Sequence, residues 1–205
     1  MPFNLHTAVS RTRCMIDNEV ERVLVESGRR PANWRDHMLL SMAFGTALRI
    51  HELVALNVGD VAHEDLRARR FVELTVFKGA KRIGGTQEIE LPERVQLKVE
   101  AYLIYRRRCG EVLTADMTLF MSQKGRRLSI RQARRVFAKW QLEAELERRF
   151  TFHAARHTAC TRLYDETLDI RAVQEFARHA DIGTTQRYTH VSRERLSRAI
   201  QRLVC

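Results

Sequence analysis

The stretch 38–48, MLLSMAFGTAL, is the strongest constraint in the chain, because it is apolar nearly all round and carries no charge. A helix built on it, from about residue 34 to 48, has no face to offer water, so it must run through a core that the remaining segments enclose. It is too short to cross a bilayer, which takes about 20 residues. The enclosing material is available, since 44% of the 205 residues are hydrophobic. Only 3 prolines and 9 glycines are present, below the usual shares, which disfavours a sandwich of many tight turns and favours a helical body.

The rest of the pattern agrees. Helical spacing begins at Asp17, with Ile16, Val20, Val23 and Leu24 recurring, and Pro31 breaks it. FVELTVF at 71–77 and TQEIEL at 86–91 alternate, and the glycine-rich, basic KGAKRIGG between them predicts a β-hairpin with a mobile cationic tip. Helices are expected at 93–108 and at 129–147. Ser129 is the N-cap of the second, and Ile130, Ala133, Phe137 and Trp140 form its inward stripe. Shorter helices are expected at 154–166, 169–178 and 184–190. An amphipathic one follows at 192–203, carrying Leu196, Ile200 and Leu203. The fold class is mainly α with one small antiparallel hairpin (α+β). It is organised as an N-terminal arm or linker (1–16), a main domain (17–191) and a C-terminal helix (192–205).

The net charge is +11, and nearly all of the excess is arginine, since lysine occurs only at 78, 81, 98, 124 and 139. Arginine-rich chains suit polyanions, because the guanidinium fork matches phosphate oxygens two at a time. Basic clusters at 67–70, 106–108, 126–135 and 148–149 are candidate phosphate contacts, each with a solvated helix face as the plainer reading. The four cysteines, 14, 109, 160 and 205, have no paired spacing and read as reduced thiols. The N-terminus lacks a signal-peptide core. The expectation is a cytoplasmic protein with no membrane partner.

Several residues stand out chemically. Arg49 ends the apolar helix, and Glu52 lies three residues on, either as a structural ion-pair partner or as the companion of a ligand-binding arginine. His153 and Arg156 share one face near a helix N-terminus, where anions are favoured. His153 and His157 also have i, i+4 spacing, but no H-E-x-x-H glutamate accompanies them and a zinc site needs a further ligand. His179 opens a polar segment in which Tyr188 lies beside Thr189 and His190.

Together, the strings ALRIHEL, FKGAKR, HAARHTACTRL and HADIGTTQRYTHV resemble the tyrosine recombinase (phage integrase-type) catalytic domain, over about residues 17–195. The resemblance implies a catalytic set of Arg49, Lys78, His153, Arg156, His179 and Tyr188. Glu52 would be the acidic companion, and Lys81 the alternative hairpin lysine. Two positions depart from the family habit: Arg178 stands where glycine is usual, and Ala155 where leucine is common.

The implied activity is site-specific recombination: cutting and rejoining DNA through a 3′-phosphotyrosine, without metal, ATP or any cofactor. The implied partners are double-stranded DNA carrying a recombination site, further copies of the chain in a tetrameric synapse, and an accessory DNA-bending protein. The C-terminal helix would pack into a neighbouring subunit, with simple packing in cis as the alternative. The chain is expected to be either a natural single-domain member, bacterial or phage-encoded and like the small fimbrial-switch recombinases it resembles in size, or a piece of a longer protein; its methionine at position 1 favours a natural start. A type IB topoisomerase-like enzyme, a silent DNA-binding protein and a metal-dependent nuclease are the competing readings.

Overall fold

The computed structural model describes residues 14–75, 86–178, 183 and 185. The chain divides into two compact units, Met1–Ala159 and Cys160–Cys205. In the first unit α1 (Asp17–Gly28), a 3₁₀ turn (Pro31–Asn33) and α2 (Trp34–Thr46) are followed by two short helices, α3 (Ile50–Ala55) and α4 (Val58–Val61). The strands β1 (Phe71–Leu74) and β2 (Gln87–Glu90) come next, then α5 (Glu93–Arg108) and α6 (Ile130–Glu143). Helix α7 (His153–Thr167) begins in the first unit and ends in the second, where α8 (Ile170–Ala177) follows.

The apolar stretch does form the central helix. Met38, Leu39, Leu40, Met42, Ala43 and Phe44 of α2 are all buried, and α2 packs against α1 and α5. Helix α6 closes the core with Ala133, Val136, Phe137 and Trp140. The Phe137 ring lies edge-on to both Phe44 (6.1 Å) and Phe152 (5.5 Å). The inward stripe differs from expectation at one end: Ile130, in the first turn of α6, is 37% exposed. Ile16 is likewise exposed, while Met15 beside it is buried and donates its N–H to Thr158 Oγ1 at 2.9 Å.

The hairpin is antiparallel, with Val72 opposite Ile89 and Leu74 opposite Gln87. Val72, Leu74 and Ile89 are buried, as the alternation requires. Strand β1 ends at Leu74, and the tip, with Lys78 and Lys81, lies outside the described residues, as do His179, Tyr188 and the expected helices at 184–190 and 192–203.

Four helices begin with one device: a side chain at the third helical position turns back to accept the N-cap residue's backbone N–H. Glu19 does this for Ile16 (2.9 Å), Glu52 for Arg49 (2.7 Å), Asp60 for Asn57 (2.7 Å) and Gln132 for Ser129 (2.9 Å). Ser129 Oγ completes the reciprocal pair by accepting from the Gln132 N–H. Among the described residues no helix is long and apolar enough to cross a membrane.

Candidate active site

Arg49 does not end the central helix, contrary to the sequence reading. Helix α2 stops at Thr46, and Ala47 turns into the left-handed region (φ 50, ψ 21). Arg49 is the N-cap of α3. The relation to Glu52 is therefore a cap as well as an ion pair. Glu52 Oε2 accepts the Arg49 N–H, and Oε1 accepts from Arg49 Nη1 at 2.9 Å. The Glu52 side chain is fully buried, while that of Arg49 is 20% exposed. A buried carboxylate requires a cation, so Glu52 fixes both the backbone and the side chain of Arg49.

The left-handed turn also serves the second arginine. It aims the Ala47 carbonyl at Arg156, whose Nη1 donates to it. Arg156 is only 2% exposed and sits on the first turn of α7. The Arg156 guanidinium is thus tied to the loop that carries Arg49. Leu48 and Ile50, on either side of Arg49, line a cleft of about 680 Å³ together with His153, Arg156, Arg134, Phe150, Thr151 and Phe152.

The start of α7 is set by α6. Gln141, itself buried, donates to the carbonyls of Phe137 and Phe150 (3.2 and 3.0 Å) and accepts the Phe150 N–H at 2.7 Å. Arg149 adds a bond to the Leu146 carbonyl at 2.7 Å. With the Phe137–Phe152 ring contact, these bonds hold the turn that delivers His153 to the cleft. The His153 and His157 rings stand edge to face, 4.4 Å apart. Among the described residues no group of three His, Cys, Asp or Glu side chains is placed to hold a metal.

Of the eight sequence-predicted site residues four are described: His153 and Arg156 line the cleft, Arg49 lies between its lining residues Leu48 and Ile50, and Glu52 is paired with Arg49. The two departures have local reasons. Arg178 adopts φ 52, ψ 50 at the C-terminus of α8, a conformation in which glycine is the unstrained residue. Ala155 is buried and belongs to the core cluster beneath the α7 N-terminus.

The basic clusters need a correction. Arg106 is buried, with Nε and Nη2 on Glu111 Oε2 and Nη1 on the carbonyls of Thr118 and Leu119. Arg69 bonds the Gly59 carbonyl, Arg70 pairs with Glu90, Arg148 pairs with Glu19, and Arg127 holds the end of α3. Those arginines are bonded to the fold, Arg70 only through an exposed pair. Gln141 and these carbonyl-binding arginines were missed at the sequence level, since contacts to distant backbone leave no periodic mark.

With cleft and fold in view, the class is plain: the chain belongs to the phage integrase family, whose model matches residues 13–195, and its fold is that of a tyrosine recombinase catalytic domain. Among named relatives, tyrosine recombinase XerC of Pelotomaculum thermopropionicum is 31% identical over 194 residues, which is 91% of this chain and 59% of that protein. Among solved structures, the XerA recombinase superposes with a TM-score of 0.72 at 22% identity, covering 94% of this chain and 64% of that one. The XerH site-specific recombinase bound to its difH substrate superposes with a TM-score of 0.71 at 22% identity, covering 92% and 54%. The chain thus spans less than two thirds of the length of these relatives.

Proposed function

We propose that this chain is the catalytic part of a site-specific DNA recombinase that cuts and rejoins strands through a 3′-phosphotyrosine. The observation that supports the reading is the bond from the cleft-lining Arg156 to the Ala47 carbonyl, which ties it to the loop bearing Arg49. An arginine and a histidine at one cleft, with Arg49 borne on the loop between its lining residues Leu48 and Ile50, suit a single scissile phosphate. XerH, a structural neighbour, is recorded with a DNA substrate before cleavage.

In this mechanism Arg49 and Arg156 bind the non-bridging oxygens and stabilise the charge of the pentacoordinate transition state. The Tyr188 oxygen attacks phosphorus in line, forming the phosphotyrosine bond as the bond to the 5′ oxygen breaks. The phenol, with an ordinary pKa of about 10, passes its proton to His153, while His179 hydrogen-bonds a phosphate oxygen. Lys78, or Lys81 in its place, protonates the departing 5′ oxygen. Attack by a partner strand's 5′-hydroxyl reverses each transfer and restores the tyrosine. The bond energy stays in the intermediate, so rejoining consumes no nucleotide. Exchange between sites calls for several copies on DNA, in a tetrameric synapse that a DNA-bending protein would assist.

The test is covalent trapping. Nicked duplexes from the DNA flanking the gene are incubated with the wild-type protein and with Tyr188→Phe in EDTA, then resolved under denaturing conditions. An adduct on the 3′ side of the break, absent in Tyr188→Phe, is the expected result. No adduct on any duplex that the protein binds would overturn the reading.

A further inference from the structure

Arg127 lies in a basic run that invites assignment to DNA, but its bonds point elsewhere. Its Nη1 donates to the carbonyls of Val54 (3.0 Å), Ala55 (2.5 Å) and Leu56 (3.1 Å), and its Nη2 to Asn57 Oδ1 at 2.6 Å. Those three carbonyls are at the C-terminal end of α3, where helical carbonyls lack partners within the helix and a cation is favoured. Helix α3 has only six residues, too few to be stable by itself. Its N-cap is Arg49. One guanidinium therefore closes the far end of the short helix whose near end presents an active-site arginine.

The segment carrying Arg127 is itself held to the rest of the first unit. Met121 and Arg127 form a β-bridge, and Arg35 Nη1 bonds the Met121 carbonyl at 3.1 Å. Upstream, Leu119 N–H donates to the Leu56 carbonyl at 2.9 Å and Val58 N–H to the Met117 carbonyl at 2.8 Å. Arg106 and the Tyr102 hydroxyl hold the Leu119 carbonyl. The brace behind α3 is thus a bonded strip from 117 to 127, and Arg127 is its contact with the helix end.

We infer that Arg127 is a positioning residue for Arg49, acting through α3 and not through DNA. For its kinetic consequence the inference rests on the recombinase reading; for its structural consequence it does not. A lysine in its place has one ammonium and cannot span the same four acceptors.

The experiment compares wild type, Arg127→Ala and Arg127→Lys, each also in an Arg49→Lys background. Arg29→Ala is the control, since it removes a bonded arginine from the Glu26 pair, away from α3 and from the cleft lining. Three quantities are read: the first-order rate of adduct formation on a nicked duplex at saturating protein, the DNA affinity with its salt slope, and amide hydrogen exchange at residues 50–57. The expected result for Arg127→Ala is a saturating rate lower by on the order of tenfold, as for a catalytic group moved slightly out of place. Arg127→Lys should fall between it and wild type. DNA affinity and salt slope stay unchanged, exchange quickens at 50–57, and little further rate is lost when Arg49 is already lysine.

Weaker binding with a salt slope reduced by about one and an unchanged saturating rate would overturn the inference and make Arg127 a phosphate contact. Losses that add fully to those of Arg49→Lys would overturn it as well. Should Arg127→Ala not fold, the same criteria apply to Arg127→Lys. If wild type forms no adduct on DNA it binds, the recombinase reading fails separately, and exchange at 50–57 alone then supports or overturns the brace.

Discussion

At the residue scale, a half-buried histidine records how α1, α2 and α5 pack. Ser27 Oγ donates to the Leu24 carbonyl at 3.1 Å, which leaves it to accept from His37 Nδ1 at 3.0 Å. Lys98, bonded to Ser41 at 2.9 Å, faces the same region. Burial first, and the Lys98 charge second, push His37 down to about 4. The unfolded chain, with an ordinary histidine value of about 6.5, therefore takes up the proton first as pH falls. The stability contributed by the neutral ring is complete above about pH 6.5 and is lost between there and about pH 4. His37→Asn should remove that part of the acid sensitivity. Urea unfolding of wild type and variant at about pH 7.5 and pH 5 should differ in pH response by about 1 kcal/mol, with allowance for screening of a partly exposed ring. Equal pH responses would remove His37 from the account. At this scale the sequence showed which residue types carry chemistry and, through three-residue spacing, that Arg49 pairs with Glu52 and that His153 and Arg156 share a cleft. It did not show Gln141 or Arg127, whose partners are backbone carbonyls far away in sequence or beyond a turn.

At the element scale, the longer described helices and the hairpin were legible because their periodicities are regular, the short helices α3 and α4 were not, and helix ends were legible only where turn chemistry marks them. Ser129 announces α6, and the structure starts that helix where the cap predicts. The end of α2 carries no such mark: the break falls at Ala47, with neither glycine nor proline in the left-handed position. The requirement came from elsewhere, since that turn supplies the carbonyl for Arg156. The corner between α7 and α8 poses the same backbone problem at the surface. Leu168 sits at φ 56 and is 63% exposed. Its N–H bonds the Tyr164 carbonyl at 2.8 Å, and Asp169 next to it caps α8 by accepting from the Arg171 N–H at 2.7 Å. The leucine side chain contributes little there, while its Cβ strains the turn. Leu168→Gly should stabilise the protein by roughly 0.5–1 kcal/mol, raising the melting temperature by a few degrees. Thermal unfolding with no rise, or a fall, would mean that the side chain packs more than its exposure indicates.

At the scale of the whole molecule, the charge of +11 overstates how many arginines are available to a polyanion. Arg35, Arg69, Arg106, Arg127 and Arg149 donate to carbonyls, and Arg70 and Arg148 are paired with carboxylates. The first two turns of α6 differ. Arg70, Arg127 and Arg149 are exposed as well, but Arg131, Arg134 and Arg135 are exposed with no hydrogen bond or ion pair to the described residues, and Arg134 reaches the same cleft as His153 and Arg156. If these three neutralise phosphates beside the cleaved one, changing all three to Gln should weaken DNA binding and lower the slope of log affinity against log salt by about 2–3, near 0.9 per lost contact. Changing Arg148 and Arg149 to Gln removes the same kind of charge from bonded positions. That pair of substitutions should reduce thermal stability and leave the salt slope where it was. Slope changes in the ratio of the charges removed, three to two, would mean that binding responds to net charge alone. A difference confined to the α6 variant would mean that the fold selects which arginines meet DNA: the ones it has not already tied to its own backbone.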